Sequence, residues 1–405
     1  MKLLEYQAKE LFKKYGLRIQ KSAVLSDADG TAELIETAGL AYPLVVKIQV
    51  PVGGRGKGGG IRFAEDLRSL QDAAGAMLHS KFKGFTVKKL LIAEKVDIKE
   101  EWYLSIILDR DVKSPRVVFS TCGGVDIEET AANNPAAIAS LPINPLHGIT
   151  DYVVRYIASK CCAGADNYDI LKDILSRLYK MFMECSCMLA EINPLGILYD
   201  GGFIAVDGKV EIDDSALYRL PDAAAFRDEL DEHPLTKEAR VHGFLYIPLE
   251  ESGQVAAMSN GSGMLMSMVD LLSQNGVKPA CGVDLGGGAT KERISEAVRI
   301  AMSAPSVDTL FISIFGGITR CDEVAGGLKE AFSIINAGTG AKNGVDAITG
   351  AYAGSGASKT AIVRMEGTNK DKGIEIISQT PGVILVDSII EGVKAVKAIA
   401  GRHES

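Results

Sequence analysis

A carboxylate, a side-chain amide and a second carboxylate occur in one stretch in the middle of the chain, at Glu191, Asn193 and Asp207. Oxygen ligands of this kind suit Mg²⁺, which takes few protein ligands and completes its coordination with water and substrate phosphates. A polar hairpin at the edge of a sheet is the alternative interpretation. Asn193 and Asp207 are therefore the candidate metal ligands, and Glu191 is a spare acid beside them.

The residues around these side chains have the pattern of a hairpin. Two apolar segments, residues 189–198 and 203–206, are separated by the turn signal Asp200-Gly201-Gly202. Antiparallel pairing of the two segments would bring Asn193 near Asp207 in space. The sequence therefore predicts that one hairpin presents both candidate ligands.

A glycine-rich basic loop covers residues 53–60, where six of eight residues are glycine and the other two are Arg55 and Lys57. Glycines let backbone N–H groups approach phosphate oxygens, and the two cations add favourable charge. The loop lacks the Gly-Lys-Ser/Thr of a Walker A motif, and no helix clearly follows it as in a dinucleotide fingerprint. A flexible hairpin tip is the alternative, but the composition favours phosphate contact.

Lys47 lies in an apolar segment, residues 43–50, that is predicted to be a strand just before this loop. Its side chain is either on the solvent face of an alternating strand or directed at a ligand, and the periodicity favours the solvent face. Further along, Glu94 and Glu101 flank a turn. Most such acids are surface charges, although an acid at a strand end could also bind a ribose hydroxyl or a metal.

The pattern changes in the C-terminal half to repeated units of strand, glycine loop and helix. Three predicted strands, residues 255–258, 282–285 and 309–315, each lead into such a loop. These units predict a parallel sheet with ligands at the strand ends, where free N–H groups at helix starts attract anions. Asn260 and Thr319 would lie near such sites. Tight packing of strand on helix, which also needs glycine, is the alternative.

Length and composition limit the class of protein. With 405 residues, 47% apolar and 24% charged, the chain is typical of α/β enzymes with two or three domains. The net charge of −8 disfavours binding to nucleic acid or to an anionic membrane, and no run of about 18 apolar residues predicts a membrane span. The N-terminus resembles no secretory or transit peptide, and the seven cysteines fit no zinc pattern. Reduced thiols in a cytoplasmic protein are therefore expected.

Two domains are predicted, at residues 1–235 and 236–405. The charged, proline-containing segment 220–243 is the expected linker region. Residues 336–360 consist mainly of Gly, Ala, Ser, Thr and Asn, which predicts a flexible insertion in the second domain. A long amphipathic helix is predicted within residues 166–190 and leads into the hairpin.

Taken together and in order, these motifs resemble the β-subunit family of succinyl-CoA synthetase, also called succinate–CoA ligase. The resemblance extends over nearly the whole chain. It rests on Leu4-Glu5-Tyr6-Gln7-Ala8-Lys9, Gly53-Gly54-Arg55-Gly56-Lys57, Glu191-Ile192-Asn193-Pro194-Leu195, Val206-Asp207-Gly208-Lys209, Asp284-Leu285-Gly286-Gly287-Gly288-Ala289-Thr290-Lys291-Glu292 and Phe315-Gly316-Gly317-Ile318-Thr319-Arg320-Cys321-Asp322. The family implies an α/β architecture in which an N-terminal ATP-grasp domain with two subdomains precedes a flavodoxin-like, parallel-sheet CoA-ligase domain.

The resemblance also implies a role for each matching residue. The implied nucleotide-binding residues are Lys47, Gly54, Arg55, Gly56, Glu94, Val96 and Glu101. Asn193 and Asp207 are the implied Mg²⁺ ligands, and Glu191 is the acid that steadies a phosphohistidine. The implied contacts of the carboxylate substrate are Asn260, Gly317, Ile318 and Thr319.

The implied reaction is reversible and has three steps. A CoA thioester and phosphate give an acyl phosphate, whose phosphoryl group moves to a histidine and then to ADP or GDP. In this family the histidine and the CoA site belong to a separate α subunit. None of the five histidines of this chain lies in a glycine loop or beside a metal-like cluster, which agrees with such a partner.

The sequence leaves three alternatives. Gln20 resembles the GTP-preferring branch of the family, so ATP and GTP are both candidate nucleotides. Malate–CoA ligases share this scaffold and nearly all of these motifs, so another small dicarboxylate could replace succinate. A noncatalytic nucleotide-binding scaffold subunit is the third alternative, although the intact metal and phosphate residues argue against it.

Overall fold

The structure is a computed structural model, and it describes residues 1–230, 232–338 and 359–400. The chain divides into two compact units, Met1–Leu230 and Asp231–Ser405. The domain boundary predicted at residue 235 lies near this division and stays a prediction. Most of the insertion predicted at residues 336–360 lies outside the described residues.

The first unit contains helices and mostly antiparallel strands. Its α-helices are α1 (Glu5–Lys14), α2 (Thr31–Ala38), α3 (Leu67–Met77), α4 (Ile127–Asn133), α5 (Asp151–Lys160), α6 (Tyr168–Glu184) and α7 (Pro221–Asp228). Its strands are β1 (Ser22–Leu25), β2 (Leu44–Ile48), β3 (Ile61–Ala64), β4 (Lys81–Phe82), β5 (Phe85–Thr86), β6 (Leu90–Glu94), β7 (Ile98–Asp109), β8 (Ser114–Ser120), β9 (Ile138–Pro142), β10 (Cys187–Leu198), β11 (Phe203–Ala205) and β12 (Gly208–Ile212). Short 3₁₀ turns occur at Ala28–Gly30, Pro135–Ala137, Ala165–Asn167 and Asp214–Arg219.

Two sheets form the framework of this unit. In the smaller sheet the strand order is β1-β6-β2-β3, so that β2 is central. In the larger sheet the order is β11-β10-β7-β8-β9, and β12 also pairs with β10. The predicted amphipathic helix is α6, whose buried residues Leu171, Leu175 and Leu178 recur at helical spacing and join the core of the larger sheet.

The predicted hairpin is confirmed. Leu195 pairs with Ala205 across the turn, and Gly201 in that turn has φ of +80°, which glycine adopts without strain. Further along the same antiparallel register, Ile192 pairs with Gly208. Asn193 and Asp207 therefore lie directly opposite each other, between the segments in which β10 pairs with β11 and with β12.

The second unit alternates strands and helices along the chain. Its helices are α8 (Pro234–Val241), α9 (Ser262–Gln274), α10 (Lys291–Ala301), α11 (Cys321–Gly338), α12 (Lys370–Ser378) and α13 (Ile389–Ala400). Its strands are β13 (Leu245–Pro248), β14 (Val255–Ser259), β15 (Pro279–Asp284), β16 (Thr309–Gly316), β17 (Thr360–Gly367) and β18 (Val383–Leu385). The segment 220–243, expected to be a linker, thus contains the helices α7 and α8.

The predicted parallel sheet is confirmed in this unit. The described strands follow the order β13-β15-β14-β16-β17-β18, in which only β13 runs antiparallel to its neighbour. Without β13 this is the flavodoxin-like order, whose ligand sites lie at the carboxyl ends of the strands. Both faces are covered, because Ile312 and Phe311 of β16 belong to different core clusters.

The cysteines and helices agree with two of the broader expectations. All seven cysteines are free and five of them are buried, as expected for reduced thiols. Within the described ranges, no helix combines the length and the apolar character needed to cross a lipid bilayer. The cytoplasmic location inferred from the sequence stays a prediction.

Candidate functional site

A cavity of about 460 Å³ in the first unit is lined by most of that unit's residues with predicted chemistry. Its wall includes residues 53–57 of the basic loop, residues 124–128, Glu191, Asn193 and Asp207. The size is within the range of small-molecule sites. A smaller cavity of about 130 Å³ beside Gly16 contains none of the predicted site residues. The larger cavity is therefore the candidate site.

Backbone groups fix the two candidate metal ligands in the cavity wall. The Asn193 N–H donates to the Asp207 carbonyl oxygen at 3.2 Å, as their positions in the hairpin require. Asn193 Oδ1 accepts from the Gly124 N–H at 2.8 Å, and its Nδ2 donates to the Val125 carbonyl oxygen at 3.0 Å. The Gly208 N–H donates to Asp207 Oδ1 at 2.7 Å. The side chains are thus held in place by neighbouring backbone.

The donor set fits Mg²⁺. One carboxylate and one amide oxygen face a cavity large enough for phosphates, and Mg²⁺ takes one or two protein ligands together with water and phosphate oxygens. Across the described parts of the chain, no group of three or more His, Cys, Asp or Glu side chains forms a potential metal site. A two-residue site completed by substrate is therefore the arrangement that these side chains support.

Arg55 connects the hairpin with the N-terminal helix. Its Nη2 lies 2.8 Å from both carboxylate oxygens of Asp207, and its Nη1 lies 2.7 Å from Glu5 Oε2. Burial disfavours the charged guanidinium, but the two carboxylates outweigh this effect and raise the pKa of Arg55. Arg55 therefore keeps its charge in the cavity wall, as phosphate binding would require.

The prediction that the Lys47 side chain lies on the solvent face is wrong. The residue is only 4% exposed, because every residue of the central strand β2 is buried. Lys47 Nζ lies 2.8 Å from Glu5 Oε1 and donates to the Val206 carbonyl oxygen at 3.0 Å. The alternating pattern suggested a solvated face, whereas the start of α1 covers that face. The head group of Lys47 therefore lies beside the hairpin.

Glu5 is the site residue that sequence reasoning missed. Its side chain is 1% exposed and forms ion pairs with Lys9, Lys47 and Arg55. Burial alone would raise the pKa of Glu5, but the three cations hold it below the ordinary value. A signal was present, because Glu5 and Lys9 are spaced i,i+4 on the same helix face as the buried Phe12. A charged pair within an apolar stripe points to a buried ion pair.

Glu191 lines the cavity from the same strand as Asn193. It is half-buried, pairs opposite Lys209, and accepts from the Tyr103 hydroxyl at Oε2 over 3.0 Å. Burial raises the pKa of Glu191, and the nearby Lys209 and Tyr103 offset this only in part. An acid with a raised pKa in a cleft is well suited to exchange a proton or a hydrogen bond with an incoming group.

Four of the implied nucleotide-binding residues do not line the cavity, whereas Gly54, Arg55 and Gly56 do; the four are Lys47, Glu94, Val96 and Glu101. Glu94 accepts from the Ala41 N–H at 2.9 Å, and the Glu101 carbonyl oxygen accepts from the Gly123 N–H at 2.7 Å. Val96 lies in the connection between β6 and β7. Their role in binding a nucleotide stays a prediction.

The second unit gathers its implied substrate residues at the carboxyl ends of β14 and β16. Asn260 Nδ2 donates to the Phe315 carbonyl oxygen at 2.8 Å, and its Oδ1 accepts from the Phe315 N–H at 3.0 Å. Thr319 is 1% exposed, and its Oγ1 accepts from the Gly288 N–H at 3.0 Å. The three glycine loops therefore meet at one edge of the sheet, as the sequence predicted.

A tight turn presents the remaining two residues of this set. The Gly317 N–H donates to the Thr319 carbonyl oxygen at 3.0 Å, and Ile318 between them is 86% exposed. The side chains of Asn260 and Thr319 thus form hydrogen bonds with the backbone of neighbouring loops. Contact of these residues with a carboxylate substrate stays a prediction.

Comparison with known proteins gives matches along nearly the whole chain. The family model of an ATP-grasp domain matches residues 2–197, and that of a CoA-ligase matches residues 258–399. The succinate–CoA ligase (ADP-forming) subunit β of Desulfatibacillum aliphaticivorans is 38% identical over 94% of each chain. The GDP-forming subunit β of Thermus thermophilus is 37% identical over 99% of each chain. The predicted order, an ATP-grasp domain followed by a CoA-ligase domain, is thereby confirmed.

Among solved structures, the ATP citrate lyase of Methanothrix soehngenii, determined in complex with citrate and coenzyme A, is similar in fold. Its TM-score is 0.75 at 18% identity, over 98% of this chain and 99% of that chain. At this level of identity the similarity concerns the fold alone.

Proposed function

The chain belongs to the family of succinate–CoA ligase β subunits, and from this membership we propose that it is the nucleotide-binding subunit of a nucleoside-diphosphate-forming acid–CoA ligase. The reversible reaction converts succinyl-CoA, a nucleoside diphosphate and phosphate into succinate, CoA and a nucleoside triphosphate. One observation carries the proposal: a single cavity is lined by the basic loop, Glu191 and the Asn193–Asp207 pair.

The nucleotide phosphates lie against the basic loop in this proposal. Gly54 and Gly56 supply backbone N–H groups, and Arg55 supplies a guanidinium that forms paired hydrogen bonds with phosphate oxygens. Lys47 adds a second fixed positive charge beside the hairpin. Glu94, Val96 and Glu101 contact the remainder of ADP or GDP.

The metal site serves the same transfer. Asn193 and Asp207 would hold Mg²⁺, and the ion would neutralise charge on the transferring phosphoryl group. The residues of the chain then orient the nucleotide so that its terminal phosphate oxygen faces the incoming phosphoryl group.

Glu191 meets the phosphoryl donor. In the transfer step, the P–N bond to a histidine breaks while a P–O bond to the nucleoside diphosphate forms. Glu191 accepts a hydrogen bond from the other ring N–H of that histidine and so orients it. Among the described residues that line the cavity there is no histidine. A separate α subunit, which carries the phosphohistidine and the CoA site, is the proposed partner.

The acid substrate binds at the second unit. Asn260 and the turn Gly317-Ile318-Thr319 present backbone groups at the carboxyl ends of parallel strands, where anions bind in this architecture. Succinate is the proposed acid. Malate is the second candidate, because the same arrangement of loops suits any small dicarboxylate.

The decisive experiment reconstitutes the chain with its α subunit. Thioester formation is measured with ATP and GTP against succinate, malate and other small acids. We expect turnover with succinate and at least one nucleotide. Turnover with malate alone would mean that malate, and not succinate, is the acid substrate. No turnover with any acid would refute the proposal.

A pair of variants separates the enzyme from a noncatalytic scaffold. Asp207→Asn removes the charge of one proposed metal ligand, and we expect Mg²⁺-dependent turnover to fall by about 100-fold or more. Asp200→Asn makes the same change at the turn of the same hairpin and should leave turnover unchanged, because Asn also caps such turns. If Asp207→Asn turned over as fast as Asp200→Asn and the wild type, the chain would be a noncatalytic scaffold or the metal site would lie elsewhere.

A further inference from the structure

We propose that Glu5 is a positioning residue for the nucleotide phosphates, because its buried carboxylate fixes the head group of Arg55 in the cavity wall and that of Lys47 beside the hairpin. The inference rests on the proposed function, since it assigns Glu5 to the same phosphate-binding step. Glu5 itself lines the cavity but, as an anion, does not bind phosphate.

Both oxygens of Glu5 are used. Oε1 lies 2.8 Å from Lys47 Nζ and 2.9 Å from Lys9 Nζ, and Oε2 lies 2.7 Å from Arg55 Nη1. Lys and Arg side chains have several rotatable bonds and lose conformational entropy when they are ordered by a ligand. A common carboxylate that orders both head groups beforehand reduces this loss when the phosphates bind.

The position of Glu5 is set by the core rather than by a loop. It is the first residue of α1, where the Leu4 N–H is capped by Gln7 Oε1 at 3.0 Å and Phe12 is fully buried. Lys9, one turn further, is also buried and donates to Gln20 Oε1 at 3.1 Å. The ion pair between Arg55 and Glu5 therefore attaches the basic loop to a packed helix.

The balance of charge is compatible with phosphate binding. Lys9, Lys47 and Arg55 outnumber the two carboxylates, Glu5 and Asp207, so the group remains positive. Without Glu5, the buried Lys9 and Lys47 would have no carboxylate between them. Of the contacts described for Lys47 Nζ, the hydrogen bond to the Val206 carbonyl oxygen would then remain. The head groups should consequently leave their present positions.

The test uses the complete complex with the α subunit and compares three variants. Glu5→Gln removes the charge, Glu5→Asp keeps the charge but shortens the side chain, and Asp109→Asn is the control. Asp109 also forms an ion pair within the first unit, with Arg116, but neither residue lines the cavity. Calorimetry gives the Kd of the nucleoside diphosphate with and without Mg²⁺, and kinetics gives KM for each substrate.

We expect Glu5→Gln to weaken nucleoside diphosphate binding by about tenfold, both with Mg²⁺ and with a chelator. KM for the nucleotide should rise by a similar factor, while KM for the acid and for CoA should change by less than about twofold. Glu5→Asp should restore part of the affinity because it restores the charge. The Asp109→Asn complex should bind the nucleotide as the wild type does.

Several outcomes would overturn the inference. A folded Glu5→Gln complex with wild-type nucleotide affinity would do so. Equal increases in KM for all substrates would also do so, because they indicate a general structural defect. Failure of both variants to fold would assign Glu5 to the fold alone. A wild-type complex that binds no nucleotide would instead refute the proposed function, and this inference with it.

Discussion

Arg55 Nη2 lies 2.8 Å from each carboxylate oxygen of Asp207, so a guanidinium of the chain engages the carboxylate that is proposed to bind the metal ion. A cation and Mg²⁺ that use the same carboxylate compete for it. Mg²⁺ at Asp207 would therefore weaken the contact with Arg55, and nucleotide phosphates would offer the guanidinium an alternative partner.

The first prediction follows from this competition. Arg55→Ala should increase the affinity of the nucleotide-free protein for Mn²⁺, used as a probe for Mg²⁺, by about fivefold, which corresponds to an ion pair of about 1 kcal/mol. The same variant should bind the nucleoside diphosphate more weakly, because it lacks the guanidinium. The EPR signal of free Mn²⁺ measures the first effect, and calorimetry measures the second.

Lys57→Ala is the matched control for this prediction. Lys57 belongs to the same basic loop, but its side chain is 79% exposed and forms an ion pair only with Glu129 among the contacts described for it. Its removal should leave the Mn²⁺ affinity unchanged. Equal Mn²⁺ affinity of the wild type and Arg55→Ala would mean that Arg55 does not compete with the ion.

The second prediction concerns Glu191. Glu191→Gln keeps the size of the side chain and the hydrogen bond from Tyr103, but it removes the charge that would orient a phosphohistidine. We expect phosphoryl transfer to fall by roughly 100-fold, the lower part of the range for a positioned acid or base. The Kd of the nucleotide should stay within about twofold, because Glu191 is not assigned to nucleotide binding. Rapid-quench measurement of transfer from the phosphorylated α subunit tests this directly.

Glu211→Gln is a suitable control for that experiment. Glu211 lies in β12 of the same sheet but does not line the cavity. Its transfer rate should match that of the wild type. A Glu191→Gln complex with a wild-type transfer rate would remove Glu191 from the mechanism.

The third prediction concerns acid stability. The pKa of Glu5 is below its ordinary value of 4.5 in the folded protein, so its ionised form stabilises the fold above that pH. This contribution is lost as the pH falls below 4.5 towards the folded pKa. Glu5→Gln should therefore reduce the free energy of unfolding by about 3 kcal/mol at pH 7, because it breaks a buried ion pair.

The pH dependence distinguishes this effect from a general defect. The difference between wild type and Glu5→Gln should be constant from pH 6 to 8 and should shrink as the pH falls below 4.5. Trp102 is the single tryptophan and is buried in the core of the first unit, so its fluorescence during urea denaturation reports on that unit. A difference that does not change with pH would contradict the assignment.

The fourth prediction concerns Thr319. Thr319→Val keeps the shape of the side chain but leaves the Gly288 N–H without its partner. Gly288 is exposed, so water can replace the lost partner, and the second unit should lose only the net worth of one hydrogen bond, about 0.5–1.5 kcal/mol, while KM for the acid should rise. Nucleotide affinity should not change. Ser333→Ala, on the exposed side of α11, is the control for stability. If Thr319→Val had the wild-type KM for the acid, this loop would have no role in acid binding.

The sequence by itself determined the elements whose signals are local. The turn signal around Gly201 and the apolar segments on either side of it established the hairpin, and with it the position of Asn193 opposite Asp207. The strand, glycine loop and helix units likewise established the parallel sheet and the edge at which Asn260 and Thr319 lie. Turn chemistry and periodicity depend on residues close in the chain, so they can be read without the fold.

The tertiary structure alone decided how the charged groups are paired. Glu5 and Lys47 are 42 positions apart, and Arg55 and Asp207 are 152 positions apart, yet each pair is in direct contact. Periodicity placed Lys47 on a solvent face because it describes one strand, whereas burial depends on what covers that strand. A buried carboxylate is stable only where cations from other elements meet it, and only folding brings those elements together.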